Sequence, residues 1–210
     1  MNTISDEYHI YYEKNRLWEH TYWLGVNVQK NPCDMIIIQE LITRIRPDLI
    51  VETGTRHGGS SLFFASICEL IGNGEVISID NDPTNLKLDA IKSFPQSKRI
   101  TYLTGESTNP DIVARVKERV GKSVMVLLDS WHSEKYVLQE LQAYSNMVTI
   151  GSYLIVEDTH IWNPAPWAYE DLGPMAALKT FMKDNTKFVS DKDCEKLHFT
   201  FNPDGYLKRI

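Results

Sequence analysis

Short apolar runs recur along the chain, and four of them stop on a carboxylate. Leu49, Ile50 and Val51 lead to Glu52; Val76, Ile77 and Ile79 lead to Asp80; residues 124–128 lead to Asp129; residues 153–156 lead to Glu157 and Asp158. Near-continuous apolar runs of this length predict strands buried on both faces. Between them the period becomes helical. Leu62, Phe63, Ile67 and Leu70 form the expected inner stripe of a helix over 58–71, and further helices are expected over 83–94, 111–120, 132–147 and 174–183. Another strand is expected over 99–103, two late ones around 187–189 and 195–201, and then a short tail at 206–210. Upstream, Ile37, Ile38, Leu41, Ile42 and Ile45 mark a helix that Pro47 ends, with Asp34 as a candidate cap. Alternating β and α units predict an α/β fold: a mostly parallel seven-stranded sheet with helices on both faces. Residues 1–30, with Tyr8, Tyr11, Tyr12, Trp18, Tyr22 and Trp23, read as a packed aromatic arm, and residues 31–210 as a single domain.

In open α/β sheets, ligands bind beyond the carboxyl ends of the strands. Four segments therefore deliver acidic side chains to one edge, where they repel unless something positive or hydrogen-bonding lies between them. After the first of these strands come Thr53, Gly54, Thr55, Arg56, His57, Gly58, Gly59 and Ser60. Glycines there permit positive φ and close approach of a ligand, and the helix beyond offers free N–H groups. The spacing departs from the Gly-x-Gly-x-x-Gly of dinucleotide binders. Asp80 is placed to accept both ribose hydroxyls of an adenosine. Glu52 would oppose a pyrophosphate but suits a cationic ligand, so the pattern fits S-adenosylmethionine better than NAD. The competing reading is a turn that serves only a tight strand–helix connection. Ser107 is expected either beside the adenine or, with Thr108, as a cap of the next helix.

Asp129, Glu157 and Asp158 end neighbouring strands, and carboxylate oxygens with room for water suit Mg²⁺. Alternatively, Glu157 pairs with a nearby Lys or Arg and Asp158 caps a turn. His132 and His160 lie on the loops after the same strands, and either is a candidate general base. His57 reads as a wall of the cofactor site, whereas His9, His20 and His198 have no informative setting. The loop at 161–169, with Trp162, Pro164, Pro166, Trp167 and Tyr169, reads either as a pocket roof shared with the aromatic arm or as an oligomer contact.

Composition narrows the classes. The 210 residues suit one domain with a full core, and the 42% hydrophobic and 24% charged fractions are ordinary for a globular protein. A net charge of -6 argues against a nucleic-acid partner. No apolar run is long enough for a membrane span or a secretory signal. Cys33, Cys68 and Cys194 are too few and too scattered for a disulfide framework, so reduced thiols and a cytoplasmic location are expected.

Ordered matches extend this reading. They include Trp23, Leu24 and Gly25; 30–34 (Lys, Asn, Pro, Cys, Asp); Gln39 and Glu40; 46–55; 58–60; and Ile79 with Asp80. Further on come 128–130 with His132 and Ser133, 151–159, 173–175 and 201–207. With these the chain resembles the cephalosporin hydroxylase-like (CmcI-type) family of S-adenosylmethionine-dependent O-methyltransferases. The resemblance implies a Rossmann-like class I methyltransferase fold and a cofactor site of Glu52, Gly54, Gly59, Ser60, Asp80 and Ser107, bordered by Asp129. It also implies a Mg²⁺ site of Asp129, Glu157 and Asp158, with Asp129 and either His132 or His160 in catalysis. The expected acceptor is a hydroxyl of a small molecule, a secondary metabolite such as an antibiotic precursor or a sugar, and the expected assembly is a homo-oligomer. A metal-dependent hydroxylase and a non-catalytic cofactor-binding partner are the rivals. Trp131 departs from the family pattern, in which a small or acidic residue is more usual, and is expected to add bulk beside the metal.

Overall fold

The protein was analysed as a computed structural model, which describes residues 4–160 and 172–210. The aromatic loop expected at 161–169 lies outside the described residues. The chain opens with α1 (Ile4–Lys14) and a small hairpin of β1 (Tyr22–Trp23) and β2 (Val26–Asn27). Helix α2 (Pro32–Ile45) follows, capped by Asn31, whose side chain accepts from the Cys33 N–H. Asp34, expected as that cap, is instead buried and accepts from Phe201 N and from the hydroxyls of Thr200 and Tyr206, so it ties α2 to the C-terminal segment. A carboxylate one turn inside the helix is better satisfied by those donors than by N–H groups that Asn31 already serves.

The sheet is built from β3 (Leu49–Thr53), β4 (Glu75–Asp80), β5 (Ile100–Thr104), β6 (Val124–Leu128), β7 (Tyr153–Val156), β8 (Phe188–Ser190) and β9 (Tyr206–Arg209), in the order β5-β4-β3-β6-β7-β9-β8. Strands β3 to β7 are parallel; β9 runs antiparallel to β7 and β8. This is the class I methyltransferase arrangement. Alternating side chains feed two cores, as strand geometry demands. Leu49, Val51, Val124 and Val126 pack with α5 (Pro110–Lys117), α6 (Glu134–Tyr144) and α7 (Gly173–Met182). Ile50, Met125, Leu127 and Ile155 pack with α2 and α3 (Gly59–Ile71). Fully burying each such aliphatic side chain contributes about 1.5–3 kcal/mol, so both faces of the central strands hold the sheet in register.

Three local expectations change. The helix expected over 83–94 is broken into a 3₁₀ turn, Pro83–Asn85, and the short α4 (Leu88–Lys92), with Pro95 closing the segment. Leu70 is 81% exposed, and Phe64 and Cys68 lie inside in its place. Residues 195–201 are not a strand; the stretch expected to be a tail forms β9, with Tyr206 and Leu207 fully buried. The Phe201 N–H is taken by Asp34, so that backbone pairs with a side chain and not with a sheet neighbour.

Candidate active site

The chain leaves β3 for β4 and β5 on one side of the sheet, then returns to place β6 and β7 on the other. The switch between β3 and β6 opens a crevice at the carboxyl ends of the strands. A cavity of about 920 Å³ lies there. One wall is the turn after β3 with Asp80 and Ser107; the other carries Asp129, His132, Asp158 and His160; the arm contributes Glu13, Trp18 and Asn27.

Backbone approach shapes the turn. Gly54 has φ +88, and a Cβ there would stand 1.8 Å from the Asp129 carbonyl oxygen, so only glycine lets β3 and β6 end this close together. A Cβ on Gly59 would meet the Asn27 carbonyl at 2.2 Å, because the arm's hairpin packs on the start of α3. Ser60 lines the cavity. Asp80 accepts from Arg56 N (2.7 Å) and Asp82 N (2.9 Å), which fixes its carboxylate at the cavity wall with lone pairs remaining on both oxygens.

Glu52 lies behind this wall, not on it. It is fully buried, its Oε2 accepts from Ser78 (2.6 Å), and Ser78 in turn meets Thr55 at 2.6 Å. Burial pushes its carboxyl up to about 7. Ser107 is buried at the cavity wall, donates to Glu140 Oε1 (2.5 Å), and leaves helix capping to Asn109. Glu140, which also accepts from Ser130 (2.7 Å), was not anticipated. Its signal was present in the sequence: it falls in the buried stripe Val137, Glu140, Leu141 and Tyr144, where a carboxylate needs partners.

On the second wall the alternative expected of Glu157, pairing with a lysine, is what forms, and the lysine is Lys30. The Lys30 ammonium is buried between Asp129 Oδ2 (2.7 Å) and Glu157 Oε2 (2.6 Å). Burial alone would lower its pKa; Asp129, Glu157 and Glu52 more than reverse that and keep it charged. Burial pushes Glu157 well up and also raises Asp158. Asp158 sits at φ +56, a strained conformation that turns its carboxylate back toward the cavity. Asp129, His132 and Asp158 converge, with one ligand atom of each within 4.8 Å of the others. His132 Nε2 lies 3.7 Å from Asp129 Oδ1 and 3.3 Å from Asp158 Oδ2. Glu157 stands outside that trio, but its Oε1 is buried and has no hydrogen-bond partner. Lys30 thus takes one oxygen from each of Asp129 and Glu157 and leaves each a second. An orphaned buried oxygen beside two converging carboxylates fits a hard divalent cation. His160 stands on the same wall with its Nδ1 3.8 Å from Asp158 Oδ1 and its Nε2 3.4 Å from Glu13, and Trp131 lies on the rim, 58% exposed, so its bulk borders the opening.

Comparison with known proteins agrees with the fold. The family model described as Rhamnosyl O-methyltransferase/CmcI matches residues 15–210. A rhamnosyl O-methyltransferase of Mycobacterium leprae (strain TN) is 32% identical over 217 residues, covering 99% of this chain and 91% of the relative. One from Mycobacterium tuberculosis (strain ATCC 25618 / H37Rv) is 31% identical over 227 residues, covering 99% and 86%. Among solved structures, CmcI with Mg and SAM superposes with a TM-score of 0.67 at 19% identity, over 91% of this chain and 77% of that one. On the family match and the near full-length relatives, the chain belongs to the rhamnosyl O-methyltransferase/CmcI family.

Proposed function

We propose that the protein is an S-adenosylmethionine-dependent, Mg²⁺-assisted O-methyltransferase acting on a sugar hydroxyl of a small molecule. The carrying observation is the convergence of Asp129, His132 and Asp158 on one wall of a cavity whose other wall is the glycine turn and Asp80. The cavity lies at the upper end of usual ligand-site volumes, as a nucleoside cofactor plus an acceptor would need. The names of the mycobacterial relatives support a sugar acceptor. We read residues 31–210 as the catalytic domain and residues 1–30 as an arm that completes its pocket.

S-adenosylmethionine supplies the electrophilic methyl group, and Mg²⁺ supplies positive charge that lowers the pKa of an acceptor hydroxyl. Gly54, Ser60 and Ser107 line the cofactor's share of the cavity, with Gly59 behind the turn, and Asp80 offers its remaining lone pairs to ribose hydroxyls. Asp129, Glu157 and Asp158 would hold the ion, with Lys30 fixing the first two. His132 takes the acceptor's proton, since its Nε2 faces the site between Asp129 and Asp158. His160, whose Nδ1 is held at Phe201 O (2.8 Å) and whose Nε2 meets Glu13, has both ring nitrogens engaged and carries no proton-transfer role in this reading. The residues otherwise contribute proximity and orientation.

The test is methyl transfer from radiolabelled S-adenosylmethionine to methyl α-L-rhamnoside, with and without Mg²⁺, alongside calorimetry. Transfer should need both the cofactor and the ion. Turnover with Fe(II) and a reductant in place of S-adenosylmethionine would establish the hydroxylase alternative, and cofactor binding with no transfer to any sugar would leave a non-catalytic partner.

A further inference from the structure

Next to the strand-end carboxylates, with His160 Nδ1 3.8 Å from Asp158 Oδ1, His9 and Glu13 on α1 meet His160 after β7. One ligand atom from each lies within 4.8 Å of the other two. A spacing of four on a helix places His9 and Glu13 on one face, a turn apart. The ring of His160 is set as that of a metal ligand is. Its Nδ1 lies 2.8 Å from the Phe201 carbonyl, which can only accept, so the neutral ring keeps its lone pair on Nε2, facing Glu13. The Nε2–Oε1 distance of 3.4 Å is long for a hydrogen bond. It matches the ~3.3 Å between neighbouring ligands of a tetrahedral ion with bonds of about 2.0 Å. Glu13 Oε1 is buried and accepts no hydrogen bond. Phe201 stacks against both imidazoles, with centroids 4.3 Å and 5.3 Å away, and holds their planes.

We propose that His9, Glu13 and His160 form a second metal site, of zinc class, that ties α1 to the sheet edge across the cavity mouth. Two imidazole nitrogens and one carboxylate suit Zn²⁺ or Co²⁺, whereas Mg²⁺ prefers all-oxygen surroundings. The two sites are therefore separated by ligand hardness. Because Glu13 and His160 also line the cavity, an ion there fixes the position of the roof over the acceptor.

Co²⁺ titration of the chelator-treated full-length protein tests this. The expected result is a visible absorption band that saturates at about one equivalent. It should persist in Asp129→Asn and in excess Mg²⁺, be bleached by Zn²⁺, and be lost in His9→Gln and in Glu13→Gln. Both latter variants should keep the metal-free far-UV circular dichroism of the wild type, which separates lost ligation from lost folding. Hydrogen exchange of α1 should slow on adding Zn²⁺ to the wild type and not to His9→Gln. A band that survives His9→Gln in full, one that vanishes with Asp129→Asn, or no band in the wild type would each overturn the site and leave Glu13 and His160 a plain ion pair.

Discussion

Lys30 is the residue on which the acidic edge depends. Its ammonium is buried and pairs with Glu157, itself buried, and with Asp129 on the cavity wall. Removing one partner of a buried ionic group is strongly destabilising, by about 3–5 kcal/mol. Lys30→Met should therefore cost that much in urea denaturation, and a loss below about 1 kcal/mol would show that the pairing is dispensable. His132 makes a contrasting case, because the role proposed for it is chemical. In His132→Gln, kcat should fall about 10²–10⁴-fold, as expected for loss of a general base, with cofactor affinity unchanged by calorimetry; unaltered turnover would remove it from the mechanism. For Glu52 the prediction concerns pH. Its folded carboxyl is raised to about 7 from an ordinary value of 4.5, so the folded state holds the proton more tightly than the unfolded chain does. The stability this contributes is full below about 4.5 and is lost as pH climbs through about 7. Glu52→Gln should flatten the stability profile across that window, and an equally steep profile in the variant would refute the assignment.

Among the elements, the hairpin of β1 and β2 does more than precede the sheet. It lies against the first turn of α3 so closely that Gly59 has no room for a methyl group. Gly59→Ala should force the hairpin back, costing about 1–3 kcal/mol as overpacking does and weakening cofactor binding, since the same turn borders the cavity. Wild-type affinity and denaturation midpoint in this variant would show that the arm yields freely. The elements also show where periodicity misleads. Residues 195–201 have strand-like composition, yet Asp34, 167 residues earlier in the chain, claims the Phe201 N–H. No local pattern encodes a competitor that distant. The helix over 83–94 fails for a local reason: Asp82 caps a 3₁₀ turn at Pro83–Asn85, and the chain turns extended at Leu86, so only the short α4 follows.

At the scale of the whole molecule, the proposed cofactor and ion sites lie at the seam where β3, β6 and the arm meet, so binding there should appear as stability. At a cofactor concentration a hundred times its dissociation constant, linkage contributes about 2.7 kcal/mol. For a protein of this size each kcal/mol raises Tm by about 2–4 °C, so thermal melts with S-adenosylmethionine and Mg²⁺ should shift upward by roughly 5–10 °C; no shift under saturating conditions would contradict the proposed ligands. The alternation of strands and helices from residue 49 to 183, the strand ends that bear carboxylates and the glycine turn were legible from sequence, because period, chain breakers and strand termini are properties of neighbouring residues. What each carboxylate does was not. Glu52 reads as a cofactor contact but lies behind the wall, and Glu157 shares a lysine with Asp129 across separations of 127 and 99 residues. Likewise His9, uninformative in sequence, meets His160 only because α1 folds back over β7. The chain's local chemistry determined that acidic groups would gather at one edge. Only the tertiary structure decided which of them face the cavity and which are neutralised from within, since burial and the nearest opposite charge are set by segments far apart in sequence.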